Sequence, residues 1–168
     1  LCVEKLPKDY PLLGFAGAPF TVACYMIAGG SKKDFSSVKQ FAWNQPKVFH
    51  ELMQVLTDTT IAYLLEQANA GVAAVQLFDT WAGLLSAEDY AVLAKPYTRQ
   101  IFQALHDAYL PSIHYIKGGD YLFDELSELP NDVMGVDWRV DLKTVRERLG
   151  NKHAIQGNLD PDILLTSP

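Results

Sequence analysis

The residues with the potential for chemistry lie at the ends of five strand-like segments, where small residues stand beside aromatic and polar ones. These ends span residues 14–19, 78–83, 117–119, 137–138 and 157–161. In parallel α/β architectures the active site forms at the carboxyl ends of the strands. Small residues next to aromatics, with a few polar groups, are typical of a ligand pocket with sparse polar anchors. Composition and spacing therefore predict a binding cavity without naming a reaction.

Each polar residue at these ends also has a structural explanation, and the sequence leaves both open. Asp79, Thr80 and Asp160 are residue types that cap helices. Lys117 fits a solvated lysine at a strand end, and His114, inside a strand, fits an interior histidine with satisfied hydrogen bonds. None of these residue types decides the function by itself.

Several functional classes lack their signature in this sequence. There is no glycine-rich phosphate loop, no nucleophile elbow and no H-E-x-x-H zinc motif. The two cysteines, Cys2 and Cys24, are not spaced for a zinc site or a disulfide framework. The net charge is −6, with 14 basic and 20 acidic residues and no basic stripe, so we expect no nucleic-acid partner.

The membrane and secretory classes lack their signatures as well. The apolar runs fall short of the roughly 18 residues that a membrane-spanning helix needs. No charged-then-apolar leader opens the chain, so the expected compartment is the reducing cytoplasm.

The elements that must position the strand ends alternate between strand-like and helix-like segments, which predicts an α/β fold. We predict strands over residues 11–17, 72–78, 112–116, 133–136 and 154–156. The intervening helices are predicted over residues 18–28, 46–70, 86–108 with a break at Pro96, 121–129 and 141–150. The strands lack clear alternation, so we expect both faces of the sheet to be covered.

A chain of 168 residues predicts a single domain, residues 1–168. Its five strands fit an open doubly wound sheet and five of the eight strands of a (β/α)8 barrel equally well. Periodicity does not choose between the two.

Six sequence blocks carry a resemblance to a known family. They are GFAGAPFT (14–21), YMIAGGS (25–31), QLFDTWAG (76–83), KGG (117–119), GVDW (135–138) and QGNLDP (156–161). In this order and at this spacing they resemble the uroporphyrinogen decarboxylases. Six blocks in register are specific, and the resemblance covers essentially the whole chain.

The resemblance implies a fold and a reaction. The fold is the central part of a (β/α)8 barrel longer than this chain, which fits a start at Leu1 and an end at Ser167-Pro168. The reaction is decarboxylation of the four acetate side chains of uroporphyrinogen III to give coproporphyrinogen III, with the tetrapyrrole as the small-molecule partner. It needs no metal and no organic cofactor, because the substrate's own pyrrole takes the electrons. The family also implies a cytoplasmic homodimer.

The same resemblance assigns four substrate-binding residues within this chain. Tyr25 matches a cleft tyrosine whose hydroxyl bonds the catalytic aspartate and a substrate carboxylate. Thr80 matches a position that bonds a substrate side chain, and Phe15 and Phe78 resemble apolar walls beside the macrocycle. Composition alone favours a core role for Tyr25. No catalytic residue is assigned within this segment, because the catalytic aspartate is expected upstream.

Two other functions compete with this interpretation. Zinc-dependent corrinoid methyltransferases share the barrel and place His-x-Cys at the end of a mid-barrel strand, where both side chains bind zinc. The matching stretch here is His114-Tyr115-Ile116, and Ile116 is no metal ligand. The second competitor is a non-catalytic tetrapyrrole-binding fragment. Without the upstream aspartate, the 168-residue chain by itself is expected to be inactive.

Overall fold

The computed structural model describes residues 2–7, 9–30 and 34–166. Its centre is one sheet of five parallel strands. The strands are β1 (Leu13–Gly17), β2 (Ala74–Phe78), β3 (Ser112–Tyr115), β4 (Val133–Gly135) and β5 (Ala154–Gln156). The block residue Ser31 and the last two residues, Ser167 and Pro168, lie outside the described residues.

Eight α-helices connect and cover these strands in the described part of the chain. They are α1 (Cys2–Lys5), α2 (Pro19–Ala28), α3 (Ser36–Asn44), α4 (Pro46–Asn69), α5 (Ala87–Leu93), α6 (Lys95–Asp107), α7 (Phe123–Leu126) and α8 (Leu142–Leu149). Short 3₁₀ turns at Ala82–Leu84, Asp120–Leu122 and Pro161–Leu165 complete the connections. None of the helices described is long and apolar enough to cross a membrane.

The strand order decides between the two architectures that periodicity leaves open. Each strand pairs with the next one in the chain, in the order β1-β2-β3-β4-β5, and every pair is parallel. A doubly wound sheet reverses its strand order at a switch point, whereas a (β/α)8 barrel adds strands in one direction. The expected barrel wall of adjacent parallel strands is therefore confirmed.

Local signals in the sequence place most helix ends correctly. Pro46 opens α4, and Gly71 follows its end with a positive φ of 96°. Ser86 caps α5 by accepting a hydrogen bond from the Asp89 backbone N–H, at 3.1 Å. Pro96 interrupts the predicted long helix as expected, since α5 ends at Leu93 and α6 begins at Lys95.

Two further caps behave as predicted, one helix prediction fails, and one helix was missed. Asp141 accepts from the Thr144 N–H, and Asp160 accepts from the Asp162 N–H. The helix predicted over 121–129 is instead the 3₁₀ turn at Asp120–Leu122 followed by the single turn of α7. Helix α3 was not predicted.

The prediction that both faces of the sheet are covered fails for the outer strands and holds for β3, where Ser112 to His114 are all buried. Burial alternates along β1, where Gly14 and Ala16 are buried while Leu13 and Phe15 are exposed. Strands β2 and β5 also alternate. Because successive strand residues point to opposite faces, helices cover one face, while the other face is open along β1, β2 and β5 among the described residues. The core therefore lies between the sheet and the helices, built on Val75, Leu77, Phe102 and Leu105 among others.

Candidate active site at the carboxyl ends of the strands

Three aromatic side chains form a row on the open face of the sheet. Phe15 in β1 meets Phe78 at the end of β2 edge to face, with ring centroids 6.0 Å apart. Phe78 meets Tyr115 at the end of β3 in the same way, at 5.9 Å. Phe15 is 62% exposed, an unusual exposure for a large apolar side chain in a strand. The row offers an apolar surface to a flat ligand at the carboxyl end of the sheet.

Tyr25 lies on α2 and packs on the loop that follows β2. Its ring is fixed edge to face against Trp81, at 6.2 Å, and against Phe35, at 6.3 Å. The side chain is 40% exposed, and its hydroxyl makes no hydrogen bond to the described residues. The core role that composition favours is thus wrong for the hydroxyl end, since packing holds the ring while the hydroxyl remains available to a ligand.

Helix α3, which the sequence analysis missed, supports this arrangement. Phe35, directly before α3, is buried and packs on Trp81 with ring centroids 4.9 Å apart. Lys39 donates from Nζ to the carbonyl oxygen of Leu84, at 2.5 Å. The helix therefore braces both Trp81 and the loop that follows β2.

Thr80 begins that loop, half-buried between Asp79 and Trp81. A buried hydroxyl fixes both of these neighbours: Thr21 Oγ1 donates to Asp79 Oδ1 at 3.0 Å and accepts from the Trp81 N–H at 3.1 Å. Thr21 lies one helical turn before Tyr25, so one hydroxyl ties the helix bearing Tyr25 to the loop bearing Thr80. Of the four predicted substrate residues, Phe15 and Phe78 are thus in contact, whereas Tyr25 is connected to the loop of Thr80 through Trp81 and Thr21.

The carboxyl group of Asp79 has no exposed surface, and it does not cap a helix as one interpretation predicted. Its Oδ2 has no hydrogen-bond partner in the structure. Burial raises the pKa of Asp79 to about 7, because desolvation of the charge outweighs the hydrogen bond from Thr21. Near neutral pH the carboxyl group is therefore poised between its neutral and charged forms.

Replacing Asp79 with Asn is expected to remove a pH-dependent loss of stability. A carboxyl whose folded pKa is raised stabilises the fold at low pH, and that contribution is lost as pH rises from the unfolded pKa of 3.8 to about 7. The free energy of unfolding of the variant minus that of the wild type should therefore rise by about 2–3 kcal/mol from pH 5 to pH 8. Urea unfolding at both pH values measures this; an identical pH slope in the two proteins would contradict it.

The motif residues at the ends of β4 and β5 tie neighbouring loops together. Asp137 accepts from the backbone N–H groups of Gly118 and Arg139 and from the Arg139 guanidinium, the last at 2.8 Å. Desolvation acts to raise the pKa of Asp137, but these hydrogen bonds outweigh it and hold the pKa below its usual value. Asn158 donates from Nδ2 to the carbonyl oxygens of Asp137 and Val140, at 2.9 and 2.6 Å.

His114 lies inside β3 with no exposed surface, as an interior histidine should. The expectation that its hydrogen bonds are satisfied is wrong, because neither ring nitrogen has a hydrogen-bond partner among the described residues. Ile116, which stands where the zinc-dependent methyltransferases have the cysteine of His-x-Cys, is buried. Within residues 2–7, 9–30 and 34–166, no three His, Cys, Asp or Glu side chains are grouped so as to hold a metal ion.

Comparison with known proteins connects this site to a family. The sequence model described as "Uroporphyrinogen decarboxylase (URO-D)" matches residues 1–168. The chain belongs to the uroporphyrinogen decarboxylase family. Its five parallel strands in sequential order are accordingly part of a (β/α)8 barrel, and the resemblance carried by the six blocks is confirmed.

Curated relatives carry the same name. Uroporphyrinogen decarboxylase of Nocardia farcinica is 48% identical over 168 residues, which are 100% of this chain and 47% of that protein. The enzyme of Syntrophotalea carbinolica is 44% identical over 162 residues, covering 96% of the chain and 47% of the relative. That of Legionella pneumophila (strain Lens) is 42% identical over 166 residues, covering 98% and 47%. The chain thus spans about half the length of the curated relatives it matches.

Membership of the uroporphyrinogen decarboxylase family does not favour the zinc-dependent methyltransferase.

The structure also adds residues that the sequence analysis did not assign to the site, namely Trp81, Phe35 and Tyr115. Trp81 and Tyr115 fall in or next to the segments singled out as pocket lining, and this was the only available signal. Nothing in the sequence pointed to Phe35, since its position depends on the packing of α3.

Proposed function

We propose that this chain is the central part of a uroporphyrinogen decarboxylase, which converts uroporphyrinogen III to coproporphyrinogen III by removing the carboxyl groups of four acetate side chains. The observation that carries the proposal is the family match over all 168 residues. The aromatic row and the available Tyr25 hydroxyl support it, because they suit a large flat ligand with polar side chains.

The chemistry requires no metal or organic cofactor. Protonation of a ring carbon places positive charge on the substrate's pyrrole, and loss of carbon dioxide returns the electrons to the ring. A second proton then completes the methyl group, and loss of the first proton from the ring carbon restores the neutral pyrrole, so that each carboxyl group removed consumes one proton. An anion held near the pyrrole nitrogens stabilises the developing cation, and the family places an aspartate upstream of this segment in that role.

The four substrate-binding residues divide into two roles. Phe15 and Phe78 form an apolar wall against one part of the macrocycle, which excludes water from the reacting pyrrole. Tyr25 holds the catalytic carboxylate and a substrate carboxylate through its hydroxyl, while Thr80 bonds a substrate side chain. The packing of Tyr25 on Trp81, and the hydrogen bond that the Trp81 N–H donates to Thr21 Oγ1, support a fixed geometry for both.

An assay of the full-length enzyme tests the proposed function. Incubation with uroporphyrinogen III under reducing conditions should yield coproporphyrinogen III, measured by chromatography of the oxidised porphyrins, and added chelator should leave the rate unchanged. The 168-residue chain alone should give no product, since it lacks the upstream aspartate. A full-length protein that leaves uroporphyrinogen III unchanged, or whose activity is lost on chelation, would contradict the proposal.

Replacing Thr80 with Val should raise the KM of the full-length enzyme for uroporphyrinogen roughly two- to tenfold. Valine keeps the shape of the side chain and removes one hydroxyl, which is worth about 0.5–1.5 kcal/mol of binding for a partly hydrated contact. Turnover should suffer less than binding. Thr59, exposed on α4, gives the matched control Thr59→Val. An unchanged KM would return Thr80 to a structural role in its loop.

The domain organisation, the compartment and the partners complete the proposal. We propose that residues 1–168 form one structural unit, which one sheet and one core support. We also propose that the enzyme is a cytoplasmic homodimer, with the tetrapyrrole as its small-molecule partner and no nucleic acid.

A further inference from the structure

We propose that a cleft beside Thr80 binds a substrate carboxylate that the reaction retains, with Lys117 and Arg139 as its cations. The inference rests on the proposed function and adds a binding site to it. The cleft has a volume of about 250 Å³ and lies between the loops that follow β2, β3 and β4. Thr80 lines it from the first loop, Lys117 and Gly118 from the second and Arg139 from the third.

The charge of the cleft is opposite to that of the chain. The chain has a net charge of −6, yet the ionisable side chains lining the cleft are both cations. Lys117 is exposed and forms no ion pair or side-chain hydrogen bond with the described residues. A ligand carboxylate therefore meets an ammonium group that is not paired with a carboxylate of the described residues.

Arg139 is held in place for such a ligand. Its Nη1 donates to Asp137 Oδ2 at 2.8 Å, and its guanidinium lies 4.1 Å from the centre of the Trp138 ring. A guanidinium carries five N–H donors, so most of them remain available after the bond to Asp137. Asp137 is only 4% exposed, and its oxygens already accept from Arg139 and from Gly118. The side chain thus presents an oriented fork, the geometry that matches a carboxylate.

The walls of the cleft are interlocked. A Cβ placed on Gly83 would lie 2.1 Å from the carbonyl oxygen of Lys117, so the first and second loops are in direct backbone contact. Asp137 accepts from the Gly118 N–H, which joins the second and third loops. The backbone positions of Lys117 and Arg139 are therefore fixed relative to each other; Arg139 is the preorganised cation, and the Lys117 side chain, unpaired among the described residues, is free to reach the same ligand.

The charge of the cleft also indicates which carboxylate it binds. A carboxylate that departs as carbon dioxide loses its negative charge, so cations paired with it would stabilise the ground state over the transition state and slow the reaction. A carboxylate that stays on the tetrapyrrole keeps its charge throughout. The two cations therefore suit a retained side chain, and they orient the macrocycle on the aromatic row, whose middle ring, Phe78, lies two residues before Thr80.

Steady-state decarboxylation by the full-length enzyme tests the cleft. Lys117→Gln and Arg139→Gln should each raise the KM for uroporphyrinogen roughly five- to tenfold with kcat within about twofold, and the double variant should flatten the salt dependence of kcat/KM. Arg139→Lys, which keeps the charge and lowers the risk of misfolding, should recover part of the loss. The matched control is Lys47→Gln with Lys143→Gln, which removes the same charge from exposed positions on α4 and α8.

The outcomes separate this proposal from the proposed function. An unchanged KM in the double variant, or a fall in kcat at constant KM, would overturn the proposal that the cleft binds a substrate carboxylate. A further outcome would also overturn the proposal: KM is equal in the two proteins, and millimolar inorganic phosphate inhibits the wild type but not the double variant. The cleft would then bind a free anion and not the substrate. If the wild type lacks decarboxylase activity, the proposed function fails. Fluorescence titration with uroporphyrin then measures tetrapyrrole binding and tests the cleft independently. Weaker binding by the double variant than by the control supports the cleft, and equal binding overturns it.

Discussion

Replacing Tyr25 with Phe in the full-length enzyme is expected to lower kcat for uroporphyrinogen roughly 10- to 150-fold. The substitution keeps the ring, which packs edge to face on Trp81 and Phe35, and removes only the hydroxyl. In the proposed mechanism that hydroxyl holds the catalytic carboxylate against the developing pyrrole cation. One hydrogen bond to a charged group is worth about 1.5–3 kcal/mol, which gives this range of rates. The loss should appear in kcat more than in KM, since the catalytic carboxylate acts on the chemical step.

Tyr63 provides the control for this measurement. It is 57% exposed on α4, and Tyr63→Phe removes the same hydroxyl from a position outside the site. Both variants should melt close to the wild-type temperature, because neither loses ring packing. Full activity of Tyr25→Phe would contradict the role assigned to the Tyr25 hydroxyl. An equal loss of activity in both variants would show that the effect does not arise at the site.

Local structure was readable from the sequence where its cause is local. Strand β5 matches its prediction residue for residue, and β1 to β4 fall within theirs. The caps at Ser86, Asp141 and Asp160 were predictable because each bonds a backbone N–H two or three residues away. The break before Pro96 follows from the ring of proline itself.

The order of the strands in the sheet could not be predicted from the periodicity of the sequence, because the same alternation of strands and helices fits sheets of different topology. The six family blocks, rather than any local pattern, selected the barrel. The burial pattern failed for a related reason. Leu13 and Phe15 are apolar residues on the open face of β1, so the strand reads as continuously buried although only Gly14 and Ala16 face the helices.

The candidate site was predictable residue by residue but not as an arrangement. Phe15 and Phe78 are 63 positions apart, and the pairing of β1 with β2 brings their rings to 6.0 Å. Lys117 and Arg139 meet in one cleft only because β3 and β4 are neighbours. A helix cap was one of two interpretations of Asp79, because its residue type is common at caps, whereas the structure buries it against Thr21.

His114 is expected to make the protein sensitive to acid. Burial lowers its pKa to about 3, with a smaller contribution from the charge of His153. The imidazole lies 5.0 Å from the ring of Phe102, and neither nitrogen has a hydrogen-bond partner that would stabilise the charged form. A histidine with a lowered folded pKa contributes stability above its unfolded pKa of 6.5, and that contribution is lost as pH falls toward 3. By pH 4 the loss amounts to about 3 kcal/mol.

Replacing His114 with Leu should therefore flatten the acid side of the stability curve. The variant should also gain about 1–2 kcal/mol at pH 7.5, because two buried nitrogens without partners are removed and leucine fits the apolar surroundings formed by Leu77, Met134 and Phe102. Urea unfolding at pH 7.5, 6, 5 and 4 measures both effects, with exposed His106→Gln as the control that removes a histidine elsewhere. An acid slope in His114→Leu as steep as that of the control would show that the imidazole accepts a proton in the folded state, and that the buried site is more polar than its contacts indicate.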